Sequence, residues 1–361
     1  MLHSPPGPTS AGPLRPQVTV AVVPRETFTR APECIRSLRS STDHPFDLLF
    51  VDAGYPAAVR TELDEVFASL PRRPTVVRTN HYLTPNQARN LAVRHCATPF
   101  LTFVDNDVVF RPGWLDAMLD CATATGAAVV TPLTCQGEPT HTTVHCAGGL
   151  ARVVEGPRRS RRLIEVMFDQ GQPVRDQRAD TPRPTELAEF HCMLVRADIF
   201  SAVGGLDERM YSTKEHIDFC LAVRQVGGDI YFDPRAVVTY LPPASLTRGD
   251  RLFYCLRWND LWWLLSLRRL ARKWRVRRDP GFAHRYRAIG FRRTAVFVKP
   301  LLRRSGVSSV PVLGRLVGLA GVIGEKGVNL LVFGTWRLWT LAVPLRVTGG
   351  DPAVRREGEP W

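Results

Sequence analysis

The chain has 361 residues, 44% of them apolar, which is enough for one large α/β core and a smaller unit; the composition excludes a fibrous or largely disordered protein. The net charge is +14, and 17 Lys or Arg against 3 Asp fall between Leu246 and Arg304, so the basicity is one block rather than a property of the whole chain. Such a block points to an anionic surface, or is simply a solvated Arg-rich face. No nucleic-acid recognition motif accompanies it, so nucleic acid is not an expected partner.

Eight cysteines are scattered without a CxxC pair, several of them inside apolar runs. This spacing argues against a disulfide framework or zinc knuckle and suits a reducing cytoplasm. Residues 1–16 are dense in Pro and Gly and read as a disordered lead-in, without the basic start and apolar stretch of a secretory leader.

In chain order, Val18 to Val23 is a β-branched strand and the stretch after Pro32 a helix. Phe46 to Asp52 is an apolar strand ending on an Asp-Ala-Gly turn. A helix over Ala57–Ser69, a strand over Thr75–Arg78 and a helix over Asn86–His95 follow, and Leu101–Val104 is a buried strand that runs into Asp105. Strands alternating with helices predict a mainly parallel Rossmann-like sheet covered on both faces. Ligands bind such sheets at the carboxyl ends of strands, where Asp52 and Asp105 both lie.

Beyond a strand at Ala127–Leu133, residues 135–185 are rich in Gly, Pro and Arg and read as a long, partly mobile excursion. Order returns at Phe190–Val195, a helix is predicted from Glu215 to Val226, and two strand-like pieces close the domain at 229–232 and 236–240. After Pro242-Pro243 the composition changes. Leu252–Trp274 reads as one amphipathic helix. Val307–Ile323 and Val328–Val347 are apolar but interrupted, by Arg315 and Arg337 among others, which predicts surface or core helices rather than spans. The expected units are the lead-in, a catalytic-type domain over 17–245 and a basic, Trp-rich helical region over 246–361.

The chemistry concentrates at Asp105-Asn106-Asp107. Two carboxylates two apart at a strand end can share one hard cation, Mg2+ or Mn2+, that bridges two phosphates. By itself the tripeptide is equally an Asp-rich turn.

Its surroundings resemble glycosyltransferase family 2, whose catalytic domain has the GT-A fold. The likeness rests on Phe50-Val51-Asp52-Ala53-Gly54, Asn86-Gln87-Ala88-Arg89-Asn90, Phe103-Val104-Asp105-Asn106-Asp107 with Pro112 and Trp114-Leu115, and Val203-Gly204-Gly205-Leu206-Asp207-Glu208 with the helix after Glu215. It covers about residues 18–241. The resemblance implies a metal-dependent, inverting transfer of a sugar from a nucleotide-diphosphate sugar to a hydroxyl of a cell-envelope, lipid-linked or glycan acceptor. Metal ligands would be Asp105 and Asp107. The donor side would include Pro24, Asp52, Arg89, Asn90, Asp105 and Asn106.

Four places depart from the pattern. Ala53 replaces a second Asp in the nucleoside turn, and Pro24-Arg25-Glu26 follows the first strand. Where the family reads Glu-Asp-x-Asp, this chain reads Glu215-His216-Ile217-Asp218. The base is therefore Glu215, His216 or Asp218, with Glu215 first. Residues three apart share a helix face, so Glu215 and Asp218 are expected to line one site with His216 turned away. Tyr240 stands where the family often has a third ligand, His, and a neutral tyrosine is a poor Mg2+ ligand.

Arg257-Trp258 resembles the end of the Gln-x-x-Arg-Trp motif of processive members, with Tyr254 in place of Gln; either it contacts substrate or it packs a helix. A nucleotidyltransferase and a catalytically silent sugar-binding or scaffold protein are the competing readings. The expected location is cytoplasmic, peripheral on the inner face of an anionic plasma membrane.

Overall fold

The computed structural model describes residues 16–156, 160–174, 181–243, 245–277, 285–305 and 311–350. The lead-in expected over 1–16 thus falls almost wholly outside the described residues. In chain order the first elements are β1 (Val18–Val23), α1 (Ala31–Ser40), β2 (Asp47–Asp52), α2 (Ala57–Ala68), β3 (Thr75–Thr79), α3 (Pro85–Arg94), β4 (Phe100–Asp105), β5 (Val108–Phe110) and α4 (Trp114–Thr125). Then come β6 (Val129–Gln136), β7 (Val144–Cys146), β8 (Gly149–Glu155), β9 (Arg161–Met167), β10 (Arg183–Thr185), β11 (Cys192–Arg196), α5 (Asp198–Val203), α6 (Glu215–Gln225) and β12 (Ile230–Tyr240).

One large sheet runs in the order β10-β12-β6-β11-β4-β1-β2-β3, with its centre parallel through β4-β1-β2-β3 and β11 inserted antiparallel beside β4. Alternation sorts the strand residues. Val18, Val20 and Val22 face Ile35, Leu63 and Met118 of α1, α2 and α4, whereas Ala21 and Val23 face the opposite core with Leu91 of α3 and Ile217 of α6. Helices therefore cover both faces, as the strand–helix alternation predicts. No disulfide joins the eight cysteines, and six of them are buried.

The excursion over 135–185 is more ordered than its composition predicts. Its described residues include β7, β10 and the β8–β9 hairpin, paired from Gly149↔Met167 to Glu155↔Arg161. These strands are half-buried, so they lack the apolar runs that mark central strands. The two strand-like pieces near 230 and 238 are one strand, β12, with a register shift between Asp233 and Val237.

The C-terminal region holds α7 (Arg248–Arg257), α8 (Asp260–Lys273), α9 (Phe291–Arg293), a π-helical turn (Thr294–Val298), α10 (Lys299–Arg304), α11 (Pro311–Ala342) and β13 (Val347–Gly349), which pairs with β3. The single helix expected over Leu252–Trp274 is two, because Asn259 breaks it: its side-chain oxygen accepts from the amides of Leu261 and Trp262 and starts α8.

Nor is residue 245 a packing boundary. Buried Asp250 in the first turn of α7 accepts from Phe28 N (2.7 Å) and Thr29 Oγ1 (3.1 Å), and Leu267 and Leu270 of α8 belong to the same core as β1 and β4. Leu267→Ala should therefore cost the whole domain about 2–5 kcal/mol. Urea unfolding should keep a single transition at lower midpoint; a second transition that alone moves would show that the C-terminal region folds separately.

Candidate active site

β4 ends on Asp105, and the chain turns at once through Asn106 and Asp107 into β5. Asn106 locks the turn. Its carboxamide oxygen accepts from Arg25 N (2.9 Å), and its amide donates to Thr27 O (2.7 Å) and Tyr55 Oη (2.8 Å), so it joins the ends of β1, β2 and β4 inside the protein. Asp105 is also fully buried. Its Oδ1 accepts from Arg89 (3.1 Å), and its Oδ2 lies 3.1 Å from both Arg25 Nε and His191 Nδ1. Burial pushes the Asp105 carboxyl up, but Arg25, His191 and Arg89 together outweigh it and hold it below its usual value.

Asp107 is the opposite case. It is 2% exposed, and neither carboxylate oxygen has a hydrogen-bond partner among the described residues. Burial, then the charges of Asp105 and Glu26, push its pKa well up. Glu26 is buried beside it, with Oε1 accepting from Tyr240 Oη (3.0 Å) and Oε2 unpartnered.

A third donor completes the cluster from an unexpected strand. β11 pairs antiparallel with β4, and Asp105 N donates to His191 O (3.1 Å), which brings the imidazole of His191 against the Asp pair. Donor atoms of Asp105, Asp107 and His191 all lie within 4.8 Å of one another. Tyr240, where the resemblance expects a histidine, stacks on the His191 ring at 4.3 Å instead. His145, Glu189 and His191 form a second such group, in which burial and the neighbouring His191 push His145 down to about 4. The residues fit a divalent cation. Two carboxylates and an imidazole converge, and two buried oxygens of Asp107 lack any other partner.

Beside this cluster lies a cleft of about 170 Å³ lined by Arg25, Arg89, Glu189, His191, Glu215, His216, Arg257, Trp258 and Arg292. Glu215 opens α6 after Lys214, which holds a left-handed φ of 65° and donates to Glu165 (2.6 Å). Three guanidinium groups face Glu215: Arg257 at 3.5 Å, and Arg25 and Arg89 at 3.8 Å each. His216 lines the cleft, with Nε2 3.2 Å from Oε1 of buried Glu189. Asp218 points away, its oxygens accepting from Lys273 Nζ and Trp274 Nε1 at 2.7 Å each. The expected pairing of Glu215 with Asp218 is thus replaced by Glu215 with His216, because α8 packs on the face that carries Asp218.

The remaining expected residues divide. Arg89 is buried on Asp105 and under the Phe190 ring (4.0 Å). Asn90 is structural, its carboxamide bonding both backbone groups of Leu206 and Glu208. Pro24 starts the loop that carries Arg25 and Glu26. Asp52 is taken up by a two-pronged pair with Arg60 (2.7 and 3.0 Å), by Tyr55 N and by Arg78. Its partner Arg60 lines a separate cavity of about 470 Å³ together with Gly54, Thr79, Tyr82, Trp336 and Trp339. Arg257 donates to Ser212 O, and Arg257 and Arg292 both stack on the Trp258 ring (4.9 and 4.4 Å).

Residues beyond the sequence reading are Glu26, Glu189, His191 and Arg292. Glu189 and His191 did leave a signal: two ionisable residues directly before an apolar strand have to face something polar.

Residues 25–201 match the family model described as glycosyl transferase family 2. A pre-mycofactocin glycosyltransferase of Mycobacterium tuberculosis is 27% identical over 232 residues, covering 64% of this chain and 44% of that protein, and the counterpart in a second strain gives the same figures. The chain thus spans less than half the length of these curated relatives. Similar solved structures include GalNAc-T7 with UDP, GalNAc and Mn2+ (14% identity, TM-score 0.49, 63% of this chain and 44% of that one). They also include a mannosyltransferase from Pyrobaculum calidifontis in complex with GDP-Man and Mn2+ (14%, 0.46, 93% and 87%), and S. aureus TarS 1–349 in complex with UDP (13%, 0.46, 94% and 98%). Residues 25–201, which carry the Asp105-Asn106-Asp107 turn and its partner His191, are thus similar to glycosyl transferase family 2.

Proposed function

We propose that the chain transfers a sugar from a nucleotide-diphosphate sugar to an acceptor hydroxyl, with inversion and dependence on a divalent cation. The observation that carries this reading is the pair of unpartnered Asp107 oxygens beside Asp105 and His191, at the foot of a cleft walled by guanidinium groups. Asp105, Asp107 and His191 would hold the cation, which when bound neutralises the leaving nucleoside diphosphate. An imidazole among the donors favours Mn2+ over Mg2+, which prefers an all-oxygen shell. Arg25, Arg257 and Arg292 bind the diphosphate, with Glu215 orienting Arg25 and Arg257. Asp52 shapes the nucleoside turn through Arg60 and Arg78 rather than by direct contact.

For the base, His216 now leads over Glu215. Glu215 is surrounded by three guanidinium groups, whereas His216 lines the cleft against one carboxylate, Glu189, that can hold its ring and stabilise the protonated form. The acceptor is a glycan or lipid-linked hydroxyl.

We also infer attachment to an anionic membrane surface along α11. The two interrupted apolar stretches of the sequence are joined in this one helix, whose Val312–Ala342 is by length and composition long and apolar enough to cross a bilayer. It is nonetheless tied down over its second half. Glu325 is bonded to Arg293, buried Asn329 to Cys255 and Asp260, and Trp336 Nε1 to Tyr82 O (3.0 Å); beyond its end, β13 joins the sheet. A helix held to the body by its C-terminal half, and followed by a strand of the same sheet, lies in the membrane plane rather than across it. Leu316, Ile323, Leu331 and Leu338 stand outward, exposed. Exposed Arg315, Lys326 and Arg337 recur every 11 residues, three turns apart, so they line one flank between the docked and apolar faces.

Three results test these readings. Asp107→Ala and His191→Ala should each weaken Mn2+ binding by about tenfold or more in calorimetry of the donor-free protein, and Asp107→Ala should abolish transfer; retained activity would sink the metal assignment. His216→Gln should lower kcat by about 10²–10⁴-fold with KM for the donor little changed; a kcat like that of the wild type returns the role to Glu215. The double variant Arg315→Glu and Arg337→Glu should float poorly with phosphatidylglycerol vesicles, each cation being worth about 1 kcal/mol at such a surface. Unchanged flotation would contradict the membrane contact.

A further inference from the structure

Between α7, α10 and α11 runs a groove of about 650 Å³, within the ~300–1,000 Å³ range of small-molecule sites. Its walls are chiefly apolar, from Phe297, Val298, Leu301, Leu302, Val317 and Gly321, with Arg251, Ser305 and Glu325 as the polar members. Gly321 keeps it open at its floor, because a Cβ there would already sit 3.0 Å from Val298. The π-helical turn sets Phe297 and Val298 into the wall, in a geometry often found at functional positions.

We infer that this groove takes the hydrocarbon chain of an amphiphile whose anionic head group reaches the cleft, making the acceptor a lipid-linked one. Calling the amphiphile the acceptor rests on the proposed sugar transfer; its binding does not. Three features select a hydrocarbon chain. An extended peptide would leave its N–H and C=O groups without partners against these walls, whereas an alkyl or prenyl chain carries none. The groove also opens beside the exposed apolar face of α11, so a chain can enter from the bilayer without crossing water.

Charge supplies the third feature. A run of rings leads from groove to cleft, Phe297 to Tyr254 (6.0 Å) to Trp258 (6.5 Å), and Arg292 caps it over Trp258, half-exposed and 3.7 Å from Glu26. An anionic head group beside Arg292, with Arg25 and Arg257 behind it, would have its tail in the groove.

A long-chain alkyl phosphate with a terminal diazirine, presented to the full chain in phosphatidylcholine–phosphatidylglycerol vesicles, tests this by photolabelling and peptide mapping. Labels should fall on 297–302 and 317–321. Ala320→Trp, which fills the groove, and Leu301→Lys, at an exposed position on its lip, should each cut that labelling about tenfold while flotation persists. Labels spread along the outer face of α11, or unchanged in both variants, would overturn the inference. So would competition by an apolar peptide but not by unlabelled alkyl phosphate. A thermal shift with Mn2+ and a nucleotide-sugar panel separates the two ideas: no donor binding removes the transfer reading and leaves the groove standing.

Discussion

Everything near the cleft answers one electrostatic constraint, the burial of Asp105, Asp107 and Glu26 together at the ends of β1 and β4. Carboxylates out of water are costly unless paired, and like charges at close range raise one another. The protein resolves this unevenly. Asp105 receives Arg25, Arg89 and His191, Glu26 receives Tyr240 and Arg292, and Asp107 receives nothing. A structural cluster would have been neutralised throughout. One carboxylate with neither oxygen partnered among the described residues, beside two that each have charged or hydrogen-bonding neighbours, is the pattern of a site that completes its charge balance with something bound.

The same constraint explains the basic block. Seen in sequence it is a patch awaiting an anionic partner, but much of it is consumed inside the molecule. Arg257 faces Glu215, Arg269 and Lys273 face Asp207, Lys273 also reaches Asp218, Arg285 holds Glu165, and Arg293 joins Asp260 to Glu325. Glu215, Asp207, Asp218 and Glu165 of the N-terminal half are thus neutralised from the C-terminal half. That exchange, with Leu267 and Leu270 inserted in the core, makes the two halves one folding unit. The cationic flank of Arg315, Lys326 and Arg337 lies outside that block, and Lys326 in it is itself paired with Asp260 (2.9 Å).

What the sequence revealed follows from which interactions are local. Apolar runs ending on Asp52 and Asp105, and the helices between them, depend on periodicity and strand ends, so the parallel half of the sheet and the metal turn were legible. The β8–β9 hairpin was not, because half-buried strands lack an apolar run, and the break at Asn259 was masked by the Leu, Trp and Arg on either side. The roles within Glu215-His216-Ile217-Asp218 were out of reach for a different reason. Helical spacing says which residues share a face but not what packs there, and it is Lys273 and Trp274, more than fifty residues on, that claim Asp218.

His191 shows how a site can keep its chemistry while moving its residues. From sequence, Tyr240 at the end of β12 is a lost ligand. In space, β11 sits on the other flank of β4, and its antiparallel register sets His191 opposite Asp105, with Tyr240 stacked on the imidazole and bonded to Glu26. The tyrosine then has two duties that a histidine at 240 would meet poorly, holding the His191 ring flat and giving Glu26 a hydrogen-bond donor. The donor set at the turn is thus a property of three neighbouring strands. Exchanging Tyr240 and His191 in a double variant would separate the requirement for an imidazole from the requirement for its position.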